Sequence, residues 1–215
     1  MKTFLIHLIN CVFGLILYSI GIILTIRANI GYAPWDVFHA GLSLTAGLSF
    51  GTVSIIVGVV IVAALTILGE KFGIGTILNV ILIGIFLDIM INFDLVPIAP
   101  NRITGVIMSV SGLFIIALGS YFYIKAGLGV GPRDNLMVVL AKKTKIPVGI
   151  CRIIVEAIVT IIGWKLGGMV WFGTILFVVT IGFAVQVTFR VLKFDVTAVK
   201  HESLFDTWKL FFGKK

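Results

Sequence analysis

The chain has 215 residues, of which 60% are hydrophobic and 12% charged, and it carries a formal net charge of +8. A soluble domain needs far more polar surface to cover its core, which excludes that class. Nucleic-acid binding is excluded as well, because no RNA- or DNA-reading motif accompanies the positive charge.

In chain order, six segments approach the roughly 20 apolar residues that a helix needs to cross a bilayer. They are Phe4–Ile26, Gly51–Leu68, Gly73–Phe93, Ile103–Ile124, Val148–Trp164 and Trp171–Val191. Strand-type alternation is absent and the runs are too long for barrel strands. Helices are therefore predicted, since lipid leaves backbone groups no other partner. The first run follows Lys2, as a secretory leader would, but it is long and lacks a small-x-small cleavage site. It also recurs later in the chain, so it is read as a retained helix. Cys11 and Cys151 lie inside apolar runs and read as small packing residues, not a disulfide framework.

Behind the first run comes a glycine-containing break, then a short helix starting at Pro34, a residue suited to the first helical position. The pattern predicts about 14 residues, or about 21 Å at 1.5 Å per residue, which is short for a span. The same order of elements returns at Pro132. A self-comparison at an offset of 98 positions explains why: between residues 14 and 84 no gap is needed and about twenty of 71 positions are identical. Gly31, Pro34 and Asp36 meet Gly129, Pro132 and Asp134, and Gly75-Thr76-Ile77-Leu78 meets Gly173-Thr174-Ile175-Leu176. Apolar runs produce chance Ile and Leu matches; they do not produce a shared G-x-x-P-x-D block. The chain divides into a membrane repeat at 1–94, a linker at 95–101 with Pro97 and Pro100, a second repeat at 102–193 and a tail at 194–215.

The expected fold is an all-α polytopic membrane protein with three transmembrane helices and one short broken or re-entrant helix per half, arranged as an inverted repeat. With the N-terminus inside, that arrangement puts 13 Lys/Arg inside and three outside (Arg27, Arg102, Lys165). The alternative is eight spans in a parallel repeat, with 11 inside and five outside. Cytoplasmic enrichment of Lys and Arg favours the first, and both place the termini in the cytoplasm. In the tail, Leu204, Phe205, Trp208, Phe211 and Phe212 recur at helical spacing among polar residues, which predicts an amphipathic anchor for the membrane surface.

The repeated block carries the functional argument. It reads Arg27-Ala28-Asn29-Ile30-Gly31-Tyr32-Ala33-Pro34-Trp35-Asp36 in the first half and Lys125-Ala126-Gly127-Leu128-Gly129-Val130-Gly131-Pro132-Arg133-Asp134 in the second. One reading is a folding device, with an aspartate complementing the helix N-terminus and pairing with the earlier cation. The other is a binding site, because unwound backbone at membrane depth is tolerated where it lines a cavity or lies within protein. Paired broken helices point to a transporter's site. Exposed N–H groups there, with Arg27, Lys125 and Arg133, suit an anionic group, while Asp36 or Asp134 suits a cation or proton. Trp35 aligning with Arg133 makes the pair unequal, as an off-centre substrate requires.

Asp88, deep in the Gly73–Phe93 run, has Gln186 as its repeat partner, and an ionisable group at that depth should face protein or water. Arg152 and Glu156, four apart, read as a structural ion pair. His39 reads as a packed polar residue beside Asp36. Gly14, Gly21, Gly112 and Gly119 at seven-residue spacing suit close helix contact. No catalytic, metal-ligand or phosphate-loop motif is present, so neither an enzyme nor a cofactor is expected.

The block Ile-Gly-Tyr-Ala-Pro-Trp-Asp-Val-Phe at 30–38, its echo Leu-Gly-Val-Gly-Pro-Arg-Asp-Asn-Leu at 128–136 and the hydropathy of about 4–193 resemble the YczE/YyaS/YitT family of bacterial membrane proteins. The resemblance implies a bacterial inner-membrane protein and carries over no catalytic residue, since the family's activity is largely uncharacterised. The residues suggest a small-solute permease with a site between the repeats. The candidate substrate-binding residues are Arg27, Gly31, Trp35, Asp36, Asp88, Lys125, Gly129, Gly131, Arg133, Asp134 and Gln186. The alternative is an accessory protein that organises a membrane partner; a homo-oligomer is compatible with either.

Overall fold

The structure, a computed structural model, describes residues 2–199, 201–205, 207 and 209. It is all-helical: α1 Lys2–Arg27, α2 Pro34–Ala46, α3 Phe50–Ile67, α4 Ile74–Asn92, α5 Arg102–Lys125, α6 Pro132–Thr144, α7 Val148–Lys165 and α8 Phe172–Val191. Five of these, α1, α3, α4, α5 and α8, are long and apolar enough to cross a membrane. The bent pair α6–α7, with 118° between its helices, makes a sixth candidate. Its apolar run is the weaker one because α7 carries Arg152, Glu156 and Lys165.

At the centre, α1 and α5 pack antiparallel through reciprocal glycines. A Cβ at Gly14 would stand 2.7 Å from the Gly119 carbonyl oxygen, and one at Gly119 would stand 2.7 Å from that of Gly14. Gly21 and Gly112 repeat the arrangement at 2.7 Å in both directions. In lipid, close backbone approach of this kind replaces the hydrophobic effect as the cause of helix association. α4 joins α1 through Leu15, Ile22, Ile83 and Leu87 in the main core, which also takes in Cys11. Both cysteines are free and buried. Large apolar side chains such as Ile67 (86% exposed) and Ile103 (75%) face outward, as lipid contact requires.

Two sets of contacts fix which loops share a face. On one side Arg27 reaches Asp94 at 2.6 Å, and its carbonyl accepts from Ala99 N at 2.8 Å. On the other, Glu70 in the α3–α4 loop lies 3.6 Å from Lys142 at the end of α6. Eight spans in a parallel repeat would set Glu70 and Lys142 on opposite faces. The contacts fit three long helices and one short helix per half, with repeat partners α1 and α5 running in opposite directions. The short helices α2 and α6 are 13 residues each and both begin with proline.

The breaks are interlocked between halves. Gly31 and Gly129 have φ of +112° and +125°, where any side chain would be strained. Each presents the preceding carbonyl to the opposite half: Gly173 N donates to Ile30 O at 2.7 Å, and Gly75 N donates to Leu128 O at 2.7 Å. Each break thus satisfies an orphan donor at the start of the other half's last helix. The unwound peptides are sheltered within protein.

Of the tail, Glu202 N donates to Gly127 O at 2.8 Å and Leu204 N to Phe72 O at 2.9 Å. These residues lie against the second break. Trp208, Phe211 and Phe212 of the proposed surface anchor fall outside the described residues.

Candidate functional site

The starts of α2 and α6 converge on a cavity of about 120 Å³ to which all eight helices contribute. Its lining follows the duplication. Tyr18 and Ile116, Ile22 and Ser120, Ala33 and Gly131, Pro34 and Pro132, and Trp35 and Arg133 are repeat partners. So are Asp36 and Asp134, Ser54 and Arg152, Gly58 and Glu156, Asn79 and Phe177, and Ile83 and Ile181. Equivalent positions of both halves thus line one cavity. At roughly 30 Å³ of liquid volume per water, it has room for a few waters or a small solute.

The charges break the symmetry. Arg133, Arg152 and Glu156 all come from the second half, where the first half has Trp35, Ser54 and Gly58. The Arg133 guanidinium lies 5.1 Å over the Trp35 ring, within cation–π range. It also donates to His39 Nε2 at 3.3 Å. Arginine has no acceptor, so the histidine nitrogen facing it accepts. His39 is fully buried and stands 3.9 Å from Asp36, a packed polar residue as its sequence context suggests. Arg152 Nε donates to Glu156 Oε1 at 2.8 Å. That pair is the expected i,i+4 bridge, and it also forms part of the cavity wall.

Of the residues proposed from sequence, Trp35, Asp36, Gly131, Arg133 and Asp134 meet in this cavity. The others lie elsewhere, for identifiable reasons. Arg27 clamps the end of α4 through Asp94 and the Ile91 carbonyl, so it pairs with an acid of the linker end and not with Asp36. Lys125 folds back one turn, 2.8 Å from Tyr121 Oη and 5.0 Å over its ring. Gly31 and Gly129 are covered by the starts of α8 and α4, where a Cβ would come within 2.9 Å of Thr174 Oγ1 or 2.7 Å of Thr76 Oγ1. Thr76 Oγ1 donates to Val130 O at 2.6 Å, which fixes the second break just ahead of Gly131.

Asp88 caps a helix. Its Oδ1 accepts from Gly51 N at 2.7 Å and its Oδ2 from the Ser49 hydroxyl, both at the start of α3. An acid is favoured there because it meets unpaired N–H groups and the positive end of the helix. Gln186, its repeat partner, is exposed and outside the cavity lining. Around these two residues the halves differ most. A Cβ at Gly51 would collide with the Gly84 carbonyl oxygen and approach Asp88 Cγ to 2.6 Å. The equivalents Gly149 and Gly182 have nothing within 4 Å of a Cβ. The α3–α4 seam is closed, and the corresponding stretch of α7 and α8 is open.

The sequence reading missed Tyr123 and Asn79. The Tyr123 hydroxyl is buried and is the one buried side-chain polar atom without a hydrogen-bond partner among the described residues. Their visible signal was polarity inside apolar runs, which is weak because such groups are often satisfied by their own helix.

The model of a family of unknown function, DUF6198, matches residues 5–190. The chain belongs to this family. Its relatives include the uncharacterized membrane protein YczE of Bacillus subtilis, 38% identical over 172 residues, covering 79% of each chain. An uncharacterized protein of Haemophilus influenzae is 31% identical over 174 residues, 81% of this chain and 79% of that one. The uncharacterized protein YyaS of Bacillus subtilis is 25% identical over 182 residues, 84% of this chain and 90% of its own length. No solved structure matches. The DUF6198 match spans both breaks and every helix that lines the cavity.

Proposed function

We propose that this DUF6198 protein is a small-solute transporter of the bacterial plasma membrane, with both termini cytoplasmic, that moves its solute without transforming it. One observation carries the reading: two equivalent seams flank one central cavity, and one is sealed while the other is open. Inverted repeats reach alternating access when the halves exchange conformations around a fixed site. On this reading the present form opens along α7 and α8. There Arg152 lines the cavity while its side chain is 48% exposed, one helical turn from the lysine-rich face. In the other form α7 and α8 close on Gly149 and Gly182 while α3 and α4 part.

The lysine-rich face is assigned to the cytoplasm because Lys71, Lys142, Lys143, Lys145, Arg190 and Lys193 gather there, against Arg27, Arg102 and Lys165 opposite. An anionic solute loses support, since Arg27 and Lys125 lie outside the cavity. The accessory reading has less support, because the described tail residues hydrogen-bond to loops of their own chain.

The test uses a Cys11→Ala/Cys151→Ala background in liposomes. Gly149→Cys is expected to react with an impermeant maleimide from the face carrying the termini. The pair Gly149→Cys/Gly182→Cys is expected to form a disulfide under mild oxidant, which requires the open seam to close. Absence of that cross-link, or equal labelling of Gly149→Cys from both faces, overturns the proposal.

A further inference from the structure

The deepest wall of the cavity holds a space that the backbone does not need. Gly131 has φ −60° and ψ 142°, and its repeat partner Ala33 carries a Cβ at φ −60° and ψ 152°. Backbone conformation therefore does not require glycine at 131. A Cβ there would stand 3.4 Å from Tyr123 Oη, 3.5 Å from Asp134 Oδ2 and 3.8 Å from Asn79 Nδ2. Polar groups from α4, α5 and α6 thus gather around the bare face of Gly131.

Two of the three are unsatisfied. Tyr123 Oη is buried without a partner. Asp134 lines the cavity with its side chain accessible. Among the described residues it shares no contact ion pair with a neighbour, and neither does Arg133. Asp134 and Arg133 are adjacent in one helix, and i,i+1 side chains do not face each other. Opposite charges thus line one cavity without direct contact, with Arg152 and Arg133 acting on Asp134 through space. A charged group without a contact partner in a cavity carries a desolvation cost, and a ligand that supplies both counter-charges lowers it.

We propose that the cavity seats a small zwitterion, with its ammonium group against Asp134 and Tyr123 at the Gly131 cradle and its anionic group against the Arg133 guanidinium over Trp35. This deepens the transporter reading and rests on it. Seated against the bare Gly131 Cα, outside the Cβ position, the ammonium group faces the Tyr123 hydroxyl and the Asp134 carboxylate, both within 3.5 Å of that position. Asn79 completes the pocket wall with an amide whose oxygen and nitrogen exchange by a flip. A plain anion leaves Asp134 without a contact partner, and a plain amine leaves Arg133 with only His39, Ser54 and the Trp35 ring.

The test measures binding to the full-length protein in detergent, by calorimetry and thermal shift, with four probes: glycine, β-alanine, acetate and methylammonium. Glycine or β-alanine is expected to bind at least tenfold more tightly than either half-probe. Asp134→Asn and Arg133→Gln should each weaken zwitterion binding at least tenfold. Gly131→Ala is the decisive variant, because its methyl group meets only ordinary van der Waals contacts. The unliganded unfolding midpoint should hold while zwitterion binding falls at least tenfold, and Tyr123→Phe should weaken binding several-fold. Acetate binding as tightly as glycine, methylammonium doing so, no binding of either zwitterion, or unchanged binding in Gly131→Ala overturns the assignment. The two proposals fail separately. A seam that cross-links without zwitterion binding leaves transport standing and removes this site; binding without any seam closure does the reverse.

Discussion

Replacing single glycines at the two seams tests the exchange of conformations directly. In Gly51→Ala the new methyl group collides with a backbone carbonyl, which no rotamer change relieves, and it presses on the carboxylate that caps α3. Overpacking of this kind costs about 1–3 kcal/mol, and disturbing a charged cap adds to it. A loss of about 2 kcal/mol is a roughly 30-fold change in the folded-to-unfolded ratio. In Gly149→Ala nothing is met within 4 Å, so stability is unchanged or raised by at most about 1 kcal/mol. If α7 and α8 must close as α3 and α4 are closed here, the same methyl group penalises the closed form by about 1–3 kcal/mol. That biases the equilibrium about 5- to 150-fold toward the present form. Gly149→Ala should therefore be as stable as the parent, inactive in transport, and more reactive at a reporter Gly182→Cys. Thermal unfolding in detergent and maleimide labelling in liposomes read both quantities. Equal thermal shifts for the two variants, or parent-level labelling at position 182 in Gly149→Ala, would refute the reasoning.

Asp88→Asn should keep the fold but lower the unfolding midpoint, because charge-assisted hydrogen bonds contribute about 1.5–3 kcal/mol; Gln186→Ala, at the exposed equivalent, should leave the midpoint in place. Arg27→Ala breaks a pair whose acid is 78% exposed, so the stability loss should stay within about 1 kcal/mol, with binding of glycine unchanged by calorimetry. Thr76→Val removes the 2.6 Å bond to Val130 O, and a loss of about 1 kcal/mol with weakened glycine binding is expected, since Val130 precedes Gly131. A cysteine at Glu70 should label from the same face as one at Lys142; labelling from opposite faces would contradict the arrangement of the halves.

Much of this was legible in the residues themselves. Lipid forces every spanning peptide group into a helix, so the apolar runs gave the long elements almost to their ends: Gly73–Phe93 is observed as Ile74–Asn92. The duplication was legible because G-x-x-P-x-D at one offset cannot arise from apolar bias, and it predicted both short helices with Pro34 and Pro132 at their starts. Topology stood open between six and eight spans. It rested on a few lysines near ends that either arrangement accommodates, and the Glu70–Lys142 contact and the antiparallel glycines of α1 and α5 favour the smaller number.

The site divides along the same line. The shared block singled out Trp35, Asp36, Arg133 and Asp134 as candidates; that they line one cavity only the fold decides, since the equivalent Gly31 and Gly129 lie against different helix starts. Which cations of the block share that place was not legible either, since a side chain six to nine residues away turns toward the nearest partner. For Arg27 that partner is Asp94, and for Lys125 it is Tyr121. The closed and open seams were invisible too. Gly51 and Gly149 are the same letter at equivalent places, and only the distance between neighbouring backbones distinguishes a packed glycine from one facing open space.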